Sequence, residues 1–311
     1  MAEYSVLIIG AGTKGAISEV SHAKAFSTAP FHIVGFVDPD TGKAKTAAEN
    51  WDCEAFADIA TAFDRLGSVD VVTVATPDAT HEAVLRQLVG KPCKLIFAEK
   101  PFTQRAGDAR ELLQSFSAFG QAVMVNYTRR FAPGFQKLAS QIQDGELGEF
   151  LGGSGFYGKG LYHNGSHMID LLRMLFDEVE PGQVIGEVDD GNPSDPSVSA
   201  LLEVKHKPFY LGVIPRTAVN AFEAVLYFSK AQIIITDVGE CVISRFIELR
   251  SDFPTENVYG QRYSIEWPKV FEPLPMEAAT QNIADHLING TPLLSPAENA
   301  VRVLEICEAL S

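Results

Sequence analysis

Three glycines carry the first recognisable chemistry of this chain. Gly10, Gly12 and Gly15 are spaced as G-x-G-x-x-G, with Thr13 and Lys14 inside the motif, directly after the apolar run Val6-Leu7-Ile8-Ile9. Gly10 permits a tight turn out of a strand, Gly12 admits a pyrophosphate against bare backbone, and Gly15 lets the following segment pack closely on a sheet. The free N–H groups of such a loop, with a helix dipole behind them, favour an anion. A second apolar run, His32 to Val37, ends in Asp38, 23 residues past Gly15. That is near the spacing of a carboxylate that hydrogen-bonds a ribose. Asp38 would repel a 2′-phosphate and Pro39 offers no compensating cation, so NAD is expected rather than NADP. The alternative use of Asp38 is to cap the strand end before the Pro39-Asp40 turn.

Other polar groups follow apolar runs in the same way. Val69 to Ala75 leads into Thr76-Pro77 and then His81. Leu95 to Ala98 leads into Glu99-Lys100-Pro101, and Ala122 to Val125 into Asn126-Tyr127-Thr128-Arg129-Arg130-Phe131. Ligands of doubly wound sheets sit at the carboxyl ends of strands, so these three ends are expected to line one crevice with Gly10 to Gly15. Lys100 alone reads either as a functional amine or as a solvated strand-end charge. His81 reads as the start or cap of a helix beside the cofactor. Farther on, His167 and Asp170 stand three apart at the head of an apolar helix and so share a face. Either they serve a polar purpose there, or His167 bonds backbone and Asp170 is an exposed charge.

The elements that must hold these groups are legible in outline. Up to about residue 125, short apolar runs alternate with helix-period segments, which predicts a parallel sheet covered by helices. Helices are expected within 16–29 and over 41–50 (capped by Thr41), 58–66 (capped by Asp58), 80–88 and 105–119. Beyond that come a helix over 130–144, a strand over 150–157 and the helix 168–176. Strand-like runs then follow at 184–188, 198–204, 209–214, 224–228, 232–236, 241–246 and 263–267, with Asp189 to Pro196 as a polar loop. Helices 276–289, closed by Gly290 in a left-handed cap, and 296–310 complete the chain. The reading is two domains, 1–125 and 126–311.

Composition narrows the partners. The chain has 311 residues, 25 Lys and Arg against 40 Asp and Glu, and a net charge of −15. With no basic stripe, a nucleic-acid partner is not expected, nor is docking on an anionic membrane. The apolar runs are too short to span a bilayer and Met1-Ala2-Glu3-Tyr4 leads into a strand without a signal-peptide pattern. Cys53, Cys93, Cys241 and Cys307 are scattered, which suggests neither a metal site nor a disulfide framework. A reducing cytoplasm is the expected setting.

Together, the N-terminal G-x-G-x-x-G, the Ala75-Thr76-Pro77 turn with His81, Glu99-Lys100-Pro101 and Asn126-Tyr127-Thr128-Arg129-Arg130-Phe131 resemble the Gfo/Idh/MocA family, that of glucose–fructose oxidoreductase and inositol dehydrogenase. The resemblance implies an α/β fold: a doubly wound Rossmann domain, then an α/β domain with an open, mainly antiparallel sheet that often serves self-association, hence a homodimer or homotetramer. It implies that Lys100 reaches the nicotinamide and the reacting hydroxyl, with a cis bond before Pro101. It also implies that His167, in a G-x-H-x-x-D segment, is the catalytic histidine, a role that suits an imidazole. The chain departs from the family at two points. The family histidine that follows the glycine loop is matched by His22, seven residues past Gly15 rather than three, as if by a short insertion around Ala16 to Val20. The family aspartate four residues before the catalytic histidine is His163 here. His163 then binds substrate, shares the proton relay, or marks a weakened reaction.

The expected function is hydride exchange between NAD and a secondary alcohol of a sugar or sugar nucleotide. Lys100 and His167 are the catalytic pair. Tyr127, Arg130, His163, Asn164 and Asp170 stand on the substrate side, with Arg129, Arg130 and Lys159 as candidates to meet a diphosphate. Gly10, Gly12, Thr13, Lys14, Gly15, Asp38, Thr76, Pro77, His81, Glu99 and Lys100 stand on the cofactor side. The alternatives are a dinucleotide-binding regulator of the same fold that does no chemistry, and a dehydrogenase of a non-sugar diol, kept open by Phe156, Tyr157, Leu161 and Tyr162.

Overall fold

The structure, a computed structural model, describes residues 4–28, 30–250, 253–260, 264–267, 269–272 and 274–311. Its contacts divide it into two compact units, Met1–Phe131 with Leu274–Arg302, and Ala132–Pro273 with Val303–Ser311.

The first unit is built on strands β1 (Tyr4–Ile9), β2 (Phe31–Val37), β3 (Glu54–Phe56), β4 (Val69–Val74), β5 (Cys93–Ala98) and β6 (Ala122–Val125). They form one sheet in the order β3-β2-β1-β4-β5-β6, parallel throughout. Parallel strands covered on both faces are near-continuous apolar runs, and Val6 to Ile9, Val71 to Val74 and Leu95 to Ala98 are almost wholly buried. Helices α1 (His22–Ala25), α2 (Thr41–Trp51), α3 (Ile59–Leu66), α4 (His81–Leu88) and α5 (Ala106–Ala118) connect them. Asp58 caps α3 by accepting from Thr61 N–H at 2.8 Å. The cap of α2 is Asp40 rather than Thr41; its Oδ1 accepts from Gly42 N–H and Lys43 N–H.

The helix expected within 16–29 is the short α1. One π-helical turn, Thr13–Ile17, ends at Ser18 in extended backbone, and α1 starts afresh under the Ser21 cap; Ala29 lies outside the described residues. The short strand β3, whose first two residues are exposed, leaves no periodic signal in the sequence.

The second unit contains α6 (Pro133–Gln143), β7 (Phe150–Tyr157), α7 (Ser166–Phe176), β8 (Val179–Val188), β9 (Ser197–Val204), β10 (Lys207–Val213), β11 (Phe222–Phe228), β12 (Ala231–Thr236), β13 (Cys241–Arg250), β14 (Phe253–Tyr259) and β15 (Ser264–Trp267). Tyr263, where a strand was expected to begin, is outside the described residues. The strands form a sheet in the order β14-β13-β12-β11-β7-β10-β9-β8, with β15 beside β13. All pairs are antiparallel except β7 with β10. One face is covered: an ideal Cβ on Gly155 would meet Met168 of α7 at 3.2 Å. The register puts a row on the other face, Leu201, Tyr210, Val225, Ile234, Ile243 and Ile265, running through Ser154 of β7. Leu201 and Ile265 are exposed and the rest of these six are half-buried.

Helix α8 (Pro275–Asn289) ends at Gly290 in the left-handed conformation, as expected, and α9 (Ala297–Leu310) follows. The units differ from the 125/126 division. Residues 126–131 and 274–302 belong with the first unit, because Met276, Ala279, Ile283 and Ala284 of α8 share a core with Val6, Ile8, Phe26, Phe97 and Phe131. No described helix is long and apolar enough to cross a membrane. Among the described residues no group of three or more His, Cys, Asp or Glu side chains is arranged to hold a metal ion.

Candidate active site

The loop after β1 uses its glycines in two ways. Gly10 takes φ +100°, and a Cβ there would lie 2.6 Å from the Ala75 carbonyl oxygen; a Cβ on Gly15 would lie 1.7 Å from the Gly10 carbonyl oxygen. Both are required by close approach within the protein. A Cβ on Gly12 would meet nothing within 4 Å, so Gly12 leaves bare backbone facing open space, as a pyrophosphate requires. Directly behind the loop stands the single π-helical turn Thr13–Ile17, so the helix dipole expected there contributes little.

Asp38 caps the strand end, the second of its two expected uses, and also holds the glycine loop. Its Oδ2 accepts from Ala11 N–H of the glycine loop at 2.9 Å, and its Oδ1 from Asp40 N–H at 2.9 Å. The carboxylate is therefore fixed against the loop, with lone pairs left over for ribose hydroxyls. At the end of β4, the Thr76 hydroxyl oxygen is buried with no partner among the described residues. An orphaned buried hydroxyl beside the glycine loop fits a site that a polar ligand completes. Pro77 is exposed next to it.

His81 differs from the expectation of a cofactor contact. It is fully buried, with Nδ1 2.6 Å from the Pro101 carbonyl oxygen and Nε2 2.8 Å from the Thr76 carbonyl oxygen. Both ring nitrogens are committed to backbone, so His81 ties the turn after β4 to the turn after β5.

Glu99 and Lys100 lie at the end of β5, both buried, and the Lys100–Pro101 bond is cis. Three side chains hold the Glu99 carboxylate. His22 Nε2 lies 3.1 Å from Oε1, Asn126 Nδ2 donates to Oε1 at 2.9 Å, and Lys14 Nζ lies 3.6 Å from Oε2. Burial pushes this carboxyl up, but the hydrogen bond and charge of His22, the charge of Lys14 and the Asn126 amide outweigh it and hold it at about 2. Lys14, expected on the cofactor side, is paired with Glu99, while its side chain stays largely exposed. His22 and Asn126 are site residues that sequence reasoning did not assign, although both were noticed, His22 as a displaced family histidine and Asn126 as a strand-end residue. Tyr127, Arg129 and Arg130 follow β6 around a 3₁₀ turn, Thr128–Phe131, and are all buried.

In the second unit, β7 runs into Gly158-Lys159-Gly160 and then a π-helical turn, Leu161–Gly165, that leads directly into α7. His163 is exposed, Asn164 and His167 are half-buried, and Asp170 is buried on the next turn of the helix. His167 and Asp170 sit near the start of α7, as their spacing suggested. Tyr157 packs below with its hydroxyl donating to the Val198 carbonyl at 2.9 Å and accepting from Val198 N–H at 2.8 Å. With its hydroxyl spent on the Val198 peptide, Tyr157 is a brace, and burial pushes its phenol up. The loop 189–196 supplies the remaining hydrogen bonds to this turn, which its composition alone did not reveal.

The chain resembles known proteins in its first domain and in its fold. Residues 4–127 match the Gfo/Idh/MocA profile, an oxidoreductase family with an NAD-binding Rossmann fold. The chain is 34% identical over 148 residues to inositol 2-dehydrogenase of Renibacterium salmoninarum, a match over 47% of this chain and 44% of that protein. It thus matches less than half the length of that relative. Among solved structures, UDP-N-acetylglucosamine 3-dehydrogenase GnnA of Acidithiobacillus ferrooxidans superposes with a TM-score of 0.75 at 17% identity, covering 100% of this chain and 97% of that one. A super-repressor mutant of Gal80p from Saccharomyces cerevisiae gives 0.80 at 13% identity, covering 99% and 95%. These two likenesses concern the fold. Residues 4–127 thus form a Rossmann domain that is similar, over that length, to the NAD-binding domain of the Gfo/Idh/MocA oxidoreductases.

Proposed function

We propose that the chain exchanges a hydride between NAD and a secondary alcohol of a sugar, sugar nucleotide or related polyol. The observation that carries this reading is the end of β5. A buried amine, Lys100, follows a buried carboxylate, Glu99, pinned by three partners, on the same sheet as an open Gly12 and a fixed Asp38. The partial match to an inositol 2-dehydrogenase supports a polyol.

Bound NAD supplies the hydride acceptor, or the donor in reverse, at nicotinamide C4. Gly12 admits the pyrophosphate, Asp38 accepts from the ribose hydroxyls, and Thr76 offers its orphaned hydroxyl. Lys100 donates an N–H to the reacting oxygen, which holds it in place and eases loss of its proton. His167 takes that proton on a ring nitrogen during oxidation and returns it during reduction. Tyr127, Arg130, His163 and Asn164 bind the remaining hydroxyls, and Asp170 orients its neighbours from within α7.

The same reading assigns self-association, as dimer or tetramer, to the open sheet face. The row from Leu201 to Ile265 is an apolar stripe on an otherwise uncovered face, the kind of surface a second copy covers. Four free cysteines suit a reducing cytoplasm.

The test is NADH absorbance during incubation with a panel of inositols, sugars and nucleotide sugars. Turnover of one of them supports the dehydrogenase. NAD binding without turnover on any of them favours a regulator of the same fold, a reading that His163, in place of a carboxylate, keeps open.

A further inference from the structure

Five consecutive backbone N–H groups of the turn before α7 are received by one other segment. Lys159 N–H donates to Asp190 Oδ2, and Gly160 N–H to Ser197 Oγ at 2.8 Å. Leu161 N–H donates to the Pro196 carbonyl at 3.0 Å. Tyr162 N–H donates to Asp195 Oδ1 at 2.8 Å and His163 N–H to Asp195 Oδ2 at 2.9 Å. Asp190 is buried and also accepts from Arg216 N–H at 2.7 Å and from the Ser197 hydroxyl at 3.4 Å. The fit is close: a Cβ on Gly160, at φ +89°, would lie 2.3 Å from Asp195 Oδ2.

Within the turn, the Ser166 hydroxyl donates to the Tyr162 carbonyl at 2.7 Å. The turn's own ladder is a single π-helical turn, in which Gly165 N–H reaches the Gly160 carbonyl at 3.0 Å, and such turns are rare and usually serve function. Charge-assisted bonds to a carboxylate are about twice as strong as neutral ones, and Asp195 makes two of them to adjacent peptides. One of those peptides belongs to His163, four residues before His167.

We propose that Asp195 is a positioning residue of the substrate site: its carboxylate, gripping the N–H groups of Tyr162 and His163, sets the direction in which His163, Asn164 and the start of α7 are presented to the alcohol. The proposal rests on the dehydrogenase reading for what is presented, and on the hydrogen bonds alone for how the turn is held. Asp195→Asn keeps the shape but turns one acceptor into a donor facing an N–H.

The experiment compares the full-length wild type with Asp195→Asn and Asp195→Glu. Amide exchange is followed at residues 158–166, and KM, kcat and NAD affinity are measured on the substrate the panel identifies. The expected result for Asp195→Asn is exchange at Tyr162 and His163 faster by about tenfold or more, as loss of a charge-assisted bond implies. KM should rise about tenfold with NAD affinity kept, and Asp195→Glu should recover part of the loss. Unchanged exchange at these two amides overturns the proposal, and so does faster exchange with unchanged KM and kcat, which leaves Asp195 a structural anchor only. If the wild type turns over nothing, the dehydrogenase reading fails by itself; the exchange result then decides whether Asp195 sets the turn. Should Asp195→Asn not fold, Asp195→Ser, which keeps one acceptor oxygen in place of two, carries the test: faster exchange at Tyr162 and His163 with a raised KM supports the proposal, and wild-type values for both overturn it.

Discussion

His22 Nε2 lies 3.1 Å from Glu99 Oε1, across 77 residues of sequence. The contact joins the segment after the glycine loop to the residue before Lys100. A carboxyl that ordinarily titrates at 4.5 is thereby held at about 2. A depressed carboxyl stabilises the fold fully above its unfolded pKa and loses that contribution as pH falls through its folded one. The contribution is about 3 kcal/mol, lost between about pH 4.5 and 2. Urea midpoints measured across that range should therefore fall more steeply for the wild type than for Glu99→Gln. At neutral pH His22→Ala should cost about 2 kcal/mol, because it takes one of three partners from a buried carboxylate.

Gly12 and Gly15 should respond differently to the same substitution. Gly15→Ala drives a Cβ into the Gly10 carbonyl, so thermal unfolding should show a clear loss of stability. Gly12→Ala meets no atom and should unfold like the wild type, while calorimetry should show NAD affinity reduced by about tenfold or more, since the added methyl occupies the pyrophosphate approach.

Asp38→Ala should weaken NAD by roughly ten- to a hundredfold, the worth of charged hydrogen bonds, and relax the preference for NAD over NADP. Titration of both cofactors measures this. An undiminished preference would mean that other groups read the ribose.

Lys100→Met and His167→Asn should each lower kcat by roughly 10²–10⁴-fold, as loss of a proton-handling group does, with NAD affinity nearly unchanged. Steady-state rates and NAD titration together check this, and wild-type rates in either variant would remove the assigned role.

Ile243→Asp places a charge in the middle of the apolar row on the open sheet face. Light scattering during size exclusion should show a shift toward monomer, with far-ultraviolet circular dichroism unchanged.

The parallel sheet was legible because strands buried on both faces are unbroken apolar runs, and the runs ending at Val74 and Ala98 lie where their residues indicated. The cis bond before Pro101, implied by resemblance, is present. Segment 16–29 holds its expected helix only as the short α1, because Ser18 in extended backbone ends the turn before it and a new cap sits at Ser21. Strand β8 starts at Val179, earlier than the expected 184, because it is mostly exposed and carries Pro181 and Gly182. Asp190 and Asp195 were hidden for a different reason. Their partners lie about 30 residues away in sequence, and a polar loop reads the same whether its side chains face water or another backbone.

Gly158-Lys159-Gly160 has the make-up of a phosphate cradle, yet carboxylates of the protein itself already occupy the places where oxyanions would sit. The backbone there has no welcome left for a second anion. Any charged tail on the substrate must be met by arginine or lysine side chains elsewhere, whereas an uncharged ring of hydroxyls forfeits nothing at this turn.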